Sequence, residues 1–90
     1  MKQNEDRKKA LKDILQKVQS VQMTTLGILE MTIETGECES MPKQWFVQVS
    51  VQRHGDILSG RHFCFFPWQL PSRQEKEMEE LKQHVTFIMQ

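Results

Sequence analysis

The 90-residue chain has no tyrosine, only two cysteines and only three prolines, and these scarcities narrow what it can be. Two thiols, Cys38 and Cys64, allow one disulfide at most, which excludes a disulfide-stapled scaffold. No apolar run approaches the roughly 18–20 residues that a membrane-spanning helix needs. The N-terminus, Met-Lys-Gln-Asn-Glu-Asp-Arg-Lys-Lys, places charge where a secretory signal would carry an apolar core. These absences predict a cytoplasmic protein with both thiols reduced and no membrane partner. Net charge is lacking too: twelve Lys and Arg balance twelve Asp and Glu, so no overall field draws the chain to nucleic acid or an anionic bilayer. Its length suits one modest core and is short for a two-domain enzyme with a deep cleft. Residues 1–90 therefore read as a single domain.

The balance of charge conceals an asymmetry. Lys2 to Lys17 holds six cations against three anions, whereas Glu30 to Glu39 holds four anions and no cation. Glu75 to Glu80 adds four anions against Lys76 alone. Such a pattern suits either solvated helix faces and an acidic loop or a dipolar chain that pairs with a complementary partner.

Periodicity supplies the elements. Residues 4 to about 22 predict an amphipathic helix capped by Asn4, with Leu11, Ile14, Val18 and Val21 at three-four spacing and Leu15 beside them. Thr24 to Thr35 predicts a strand burying Leu29, Met31 and Ile33, and Gly36 to Pro42 a polar connection. Gln44 to Gln52 alternates with period two, placing Trp45, Val47, Val49 and Val51 on the core face. The start of the return strand is open: a tight turn at His54-Gly55 or Gly55-Asp56 extends the hairpin through Ile57 and Leu58, whereas a wider loop reaching Ser59-Gly60 starts the strand at Arg61. A one-residue slip exchanges faces, so either Phe63 and Phe65 or Cys64 and Phe66 point inward. The sheet spans about residues 25–67. Ser72 with Glu75 forms a Ser-x-x-Glu capping box for a last helix over about 72–89, whose buried stripe is Met78, Leu81, Val85 and Ile88. The expected fold is α+β, a three-stranded antiparallel sheet with two helices on one face, in the order α-β-β-β-α.

Catalytic patterns are missing. Cys38, His54, His62, Cys64 and His84 show no metal-ligand spacing, although His62 and Cys64 share a strand face. A Cys64–His62 pair on a flat sheet has no orienting third group and no oxyanion donors, and Cys38 lies between Glu37 and Glu39, which disfavour its thiolate. Neither a phosphate-binding loop nor a Ser-His-Asp arrangement is present. The expectation is a non-enzymatic protein without cofactor or metal.

The order α-β-β-β-α, with an acidic strand end at Glu34-Thr35-Gly36 and a capped second helix, resembles the double-stranded-RNA-binding domain over roughly Leu11 to Ile88. The resemblance implies a basic cluster at the start of the second helix, where this chain reads Ser72-Arg73-Gln74-Glu75-Lys76-Glu77. It also implies a Gly-Pro-x-His-type loop, replaced here by Gly36-Glu37-Cys38-Glu39. These departures point to a degenerate copy used for dimerisation. A second nucleic-acid reading uses the sheet: Gln48, Ser50, Gln52 and Arg53 on its outer face for bases, with Arg61 and Lys8, Lys9 and Lys12 for phosphates. Protein binding accounts for more of the chain. Phe46, Trp68 and one of Phe63, Phe65 or Phe66 exceed what one helix layer covers. The favoured expectation is a small adaptor, inhibitor or chaperone-like domain, self-associating or binding another protein through Phe46, Gln48, Phe66 and Trp68. Nucleic acid is the alternative partner.

Overall fold

The computed structural model describes the backbone of residues 2–38 and 44–90, and the side chains of residues 8–37 and 45–90. The expected order α-β-β-β-α is observed: α1 (Lys2–Thr24), β1 (Leu29–Cys38), β2 (Gln44–Arg53), β3 (Asp56–Phe65) and α2 (Pro71–Met89). The strands form an antiparallel meander in the order β1-β2-β3. Gly36 to Cys38, expected in the connection, extend β1, and the connection itself, residues 39–43, lies outside the described residues.

One face of the sheet meets both helices. Ile14, Val18 and Val21 of α1 and Met78, Leu81, Val85 and Ile88 of α2 are buried against Leu29, Val47, Val49, Val51, Phe63 and Phe65. Leu11, Leu15, Met31 and Ile33 pack around that cluster half-buried. The helical stripes expected from three-four spacing are thus the buried ones. Trp45 lies on the same face but only half-buried, its indole N–H donating to the Glu37 carboxylate across the strand pair.

The element ends differ from the sequence reading, each for a local reason. α1 begins at Lys2, so Asn4 lies inside the helix and does not cap it. β1 begins at Leu29 and not near Thr24, because Thr24 and Thr25 turn their hydroxyls back onto the Val21 and Gln22 carbonyls and so compete with an extended backbone. Leu26 and Gly27 then take left-handed conformations, with φ of 52° and 76°, which reverses the chain as helix C-termini commonly do. The expected capping box is absent. Leu70 occupies the N-cap without a side-chain bond, and Ser72 and Glu75 both lie within α2. Pro71 is responsible: its fixed φ suits the first helical position and forces the residue before it into extended geometry, and Leu70 has φ −58° and ψ 140°.

The hairpin between β2 and β3 combines features of both readings. Arg53 pairs with Asp56 around a two-residue turn, His54-Gly55, in which Gly55 has φ +74°. Regular pairing resumes only at Val51–Arg61, so Ile57 to Gly60 bulge outward opposite Gln52. The Ser59 hydroxyl holds the bulge, accepting from the Arg53 N–H at 2.8 Å and donating to the Asp56 carbonyl at 2.8 Å. Phe63 and Phe65 therefore face the core, while Cys64 and Phe66 face out. The register also separates the cysteines. Cys38 aligns with Gln44 and Cys64 with Gln48, on opposite edge strands, about 16 Å apart at normal strand spacings and beyond disulfide reach.

Candidate protein-interaction surface

The face of the sheet turned away from the helices is open. Its cross-strand pairs are Glu30 with Gln52, Thr32 with Ser50, Glu34 with Gln48 and Gly36 with Phe46, extended onto β3 by His62 beside Ser50 and Cys64 beside Gln48. Two of these polar pairs are hydrogen-bonded: the Gln52 amide donates to Glu30, and Ser50 Oγ and His62 Nδ1 form a hydrogen bond at 2.7 Å. His62 and Cys64 lie two residues apart on this face, and among the described residues no group of three or more His, Cys, Asp or Glu converges as a metal ion would require.

At the end of this face, beside the β1–β2 connection, the surface turns aromatic. The Phe46 ring lies over Gly36, where an added Cβ would fall 2.6 Å from the ring edge. A larger residue at position 36 would displace that ring, which explains a glycine within a regular strand. Phe46 meets Phe66 at 6.3 Å between ring centres, and Phe66 meets Trp68 at 5.1 Å, both tilted. These separations are those at which aromatic pairs attract beyond their buried area. Phe46 and Phe66 are half-buried by their neighbours, and Trp68 remains 57% exposed. The turn that presents Trp68 is clamped by Gln74 of α2, whose amide lies 3.0 Å from the Phe66 carbonyl, 3.3 Å from that of Pro67 and 3.1 Å from that of Gln69. Sequence reasoning found the three rings but missed Gln74, because its role depends on packing between α2 and the chain that precedes it.

The structure brings Phe46, Gln48, Phe66 and Trp68 to one end of one face. It does not bring the five candidate cations together. Lys8, Lys9 and Lys12 are exposed on α1, before Ile14, the first buried residue among those described. Lys12 lies about 18 Å along the helix axis from its C-terminus, the end that adjoins the β2–β3 hairpin. Arg53 and Arg61 belong to that hairpin and lie on the helix side, not on the open face as the sequence reading had Arg53. Arg53 Nε donates to the Ile88 carbonyl at 2.9 Å and its guanidinium is 3.8 Å from Asp56. Arg61 stacks over Phe63 at 4.9 Å. At the start of α2, Arg73 and Lys76 are exposed among Glu75, Glu77, Glu79 and Glu80.

The hairpin end has its own ionisable clasp. His54 Nε2 donates to the Gly27 carbonyl at 3.0 Å, and its Nδ1 is 3.4 Å from the Glu30 carboxylate. The Gly27 carbonyl first and Glu30 second hold the imidazolium and raise its pKa above the ordinary 6.5. A raised folded-state pKa means that the charged clasp stabilises the fold fully below pH 6.5 and that this contribution disappears as pH rises through the folded value. An NMR titration of the His54 ring is expected to show a midpoint above 6.5 that Glu30→Gln lowers only in part, since the Gly27 contact remains. A midpoint at or below 6.5 would contradict the clasp.

Comparison of the chain with protein-family models, with curated proteins and with solved structures returns no match. None of these comparisons supports the resemblance to double-stranded-RNA-binding domains, which rests on element order alone. Among the described residues no helix is long and apolar enough to cross a membrane.

Proposed function

We propose that the chain is a non-enzymatic protein-interaction domain that uses the aromatic end of its open sheet face to capture a cation-bearing segment of a partner protein. The observation that carries this reading is the row Phe46–Phe66–Trp68, ending in a half-exposed indole, on a face whose described residues include Glu30 and Glu34 and no Lys or Arg. A guanidinium or ammonium laid on an aromatic face gains about 0.5–2 kcal/mol, and a nearby carboxylate adds to it. Gln48, between Glu34 and Cys64, offers amide hydrogen bonds beside the rings. The nucleic-acid alternative has less support, because phosphate neutralisation needs clustered cations and these are split between the two ends of the molecule.

The test uses two synthetic extended peptides of equal length and apolar content, one bearing arginines and one glutamates, titrated by calorimetry into the full chain. The arginine peptide is expected to bind and the glutamate peptide not to. Trp68→Ala and Glu34→Lys should each weaken binding about tenfold while the circular dichroism spectrum stays unchanged. Equal binding of the two peptides, or no effect of Trp68→Ala, would overturn the reading.

A further inference from the structure

Most of the exposed large apolar side chains lie far from the aromatic row. Among the described residues, eight large apolar side chains are more than half exposed: Trp68 and Leu70 near the aromatic end, and Met23, Leu26, Ile28, Ile57, Leu58 and Phe87 at the opposite pole. Four chain segments meet at that pole. They are the end of α1, the turn into β1, the β2–β3 hairpin and the end of α2. Hydrogen bonds tie them into one surface: His54 to the Gly27 carbonyl, Arg53 to the Ile88 carbonyl, and His84 Nε2 to the Ser59 carbonyl at 2.9 Å.

We propose that this pole is a homodimer interface, in which two copies of the chain pack about a two-fold axis and exchange the Ile57–Leu58 bulge. This inference is independent of the capture surface proposed above. It transfers the self-association expected of the aromatic face to the opposite end of the molecule.

Area is on the scale that a second copy would cover. The six side chains are exposed by 56% to 97%, which at about 150 Å² for a large side chain amounts to roughly 700 Å² of apolar surface. Summed over the pole, that approaches the ~800 Å² each partner contributes to a stable interface. Shape points the same way. Leu58, 97% exposed on the bulge, forms one wall of an open groove of about 790 Å³ whose far side includes Glu80, His84 and Phe87 of α2. Knob and groove sit side by side on one surface, as a two-fold interface requires, since each copy must offer both halves of the contact. The groove rim carries both signs, Arg61 and Glu80, so a two-fold axis can set each against its opposite. The zero net charge of the chain removes long-range repulsion between copies.

Sedimentation of the full chain, alone and with uncharged or anionic phospholipid vesicles, tests the proposal. The wild-type protein is expected to sediment at twice its 10.7 kDa monomer mass. Leu58→Asp and Phe87→Asp, both at exposed positions, should weaken the dimer about 30-fold or more with an unchanged circular dichroism spectrum. Trp68→Ala should leave it intact, which separates this interface from the capture surface. A wild-type monomer at about 1 mM, a dimer insensitive to both aspartates, or a monomer that binds vesicles through Leu58 would each overturn the proposal, the last in favour of a bilayer as the occupant.

Discussion

Phe65→Ala is expected to destabilise the domain by about 3–5 kcal/mol, the cost of removing a fully buried aromatic side chain from a core that relaxes only partly around the gap. Phe65 has no exposed surface and lies where α1 and α2 meet the sheet, beside Ile14 and Met78. Domains of this size hold about 5–15 kcal/mol in total, so the variant should retain only marginal stability, measured by urea unfolding at constant pH. Phe66→Ala, one residue further on and half-buried on the open face, should cost only about 1 kcal/mol. The contrast reads the register directly. A slip of one residue would exchange the two rings and reverse the order of the two costs.

Gln74→Leu should loosen the segment that presents Trp68. One side-chain amide serves the carbonyls of Phe66, Pro67 and Gln69, and leucine keeps much of the volume while removing the donor. The Phe66 carbonyl would keep the Gln69 N–H, but the Pro67 and Gln69 carbonyls would lose this donor, and a half-buried carbonyl without a partner costs about 1–3 kcal/mol. Gln74→Glu should cost more at neutral pH, because a carboxylate would then face carbonyl oxygens. Hydrogen exchange at residues 66–69 is the appropriate measurement, with faster exchange in both variants and arginine-peptide binding weakened alongside. Unchanged exchange in Gln74→Leu would show that the backbone bond from the Gln69 N–H to the Phe66 carbonyl, at 3.0 Å, holds the turn unaided.

Both predictions concern positions whose roles differ in how far the chain itself announces them. Alternation in β2 and three-four spacing in both helices identify Val47, Val49, Val51, Ile14, Val18, Leu81 and Val85 as core, because side-chain direction within a strand or helix repeats with the local backbone. The element order follows from the same patterns together with the turn residues Gly55 and Pro71. The aromatic row was legible as a surplus of rings that includes Phe46 and Trp68, though which of Phe63, Phe65 and Phe66 joins them was not. Boundaries were less legible. Helix caps depend on competition among neighbouring groups, and at α2 Pro71 prevailed over the Ser72–Glu75 pair.

Local periodicity therefore determined the α+β class, the element order and the buried stripes of this protein, since each needs only a few consecutive residues to be expressed. Only the tertiary structure decided which face Phe65 and Phe66 occupy, where Arg53 points, that Gln74 holds the Trp68 turn, and that Leu26, Leu58 and Phe87 share one pole. Those outcomes depend on contacts between residues distant in the chain. The bulge of Ile57 to Gly60 opposite Gln52 redirects every β3 side chain that follows it.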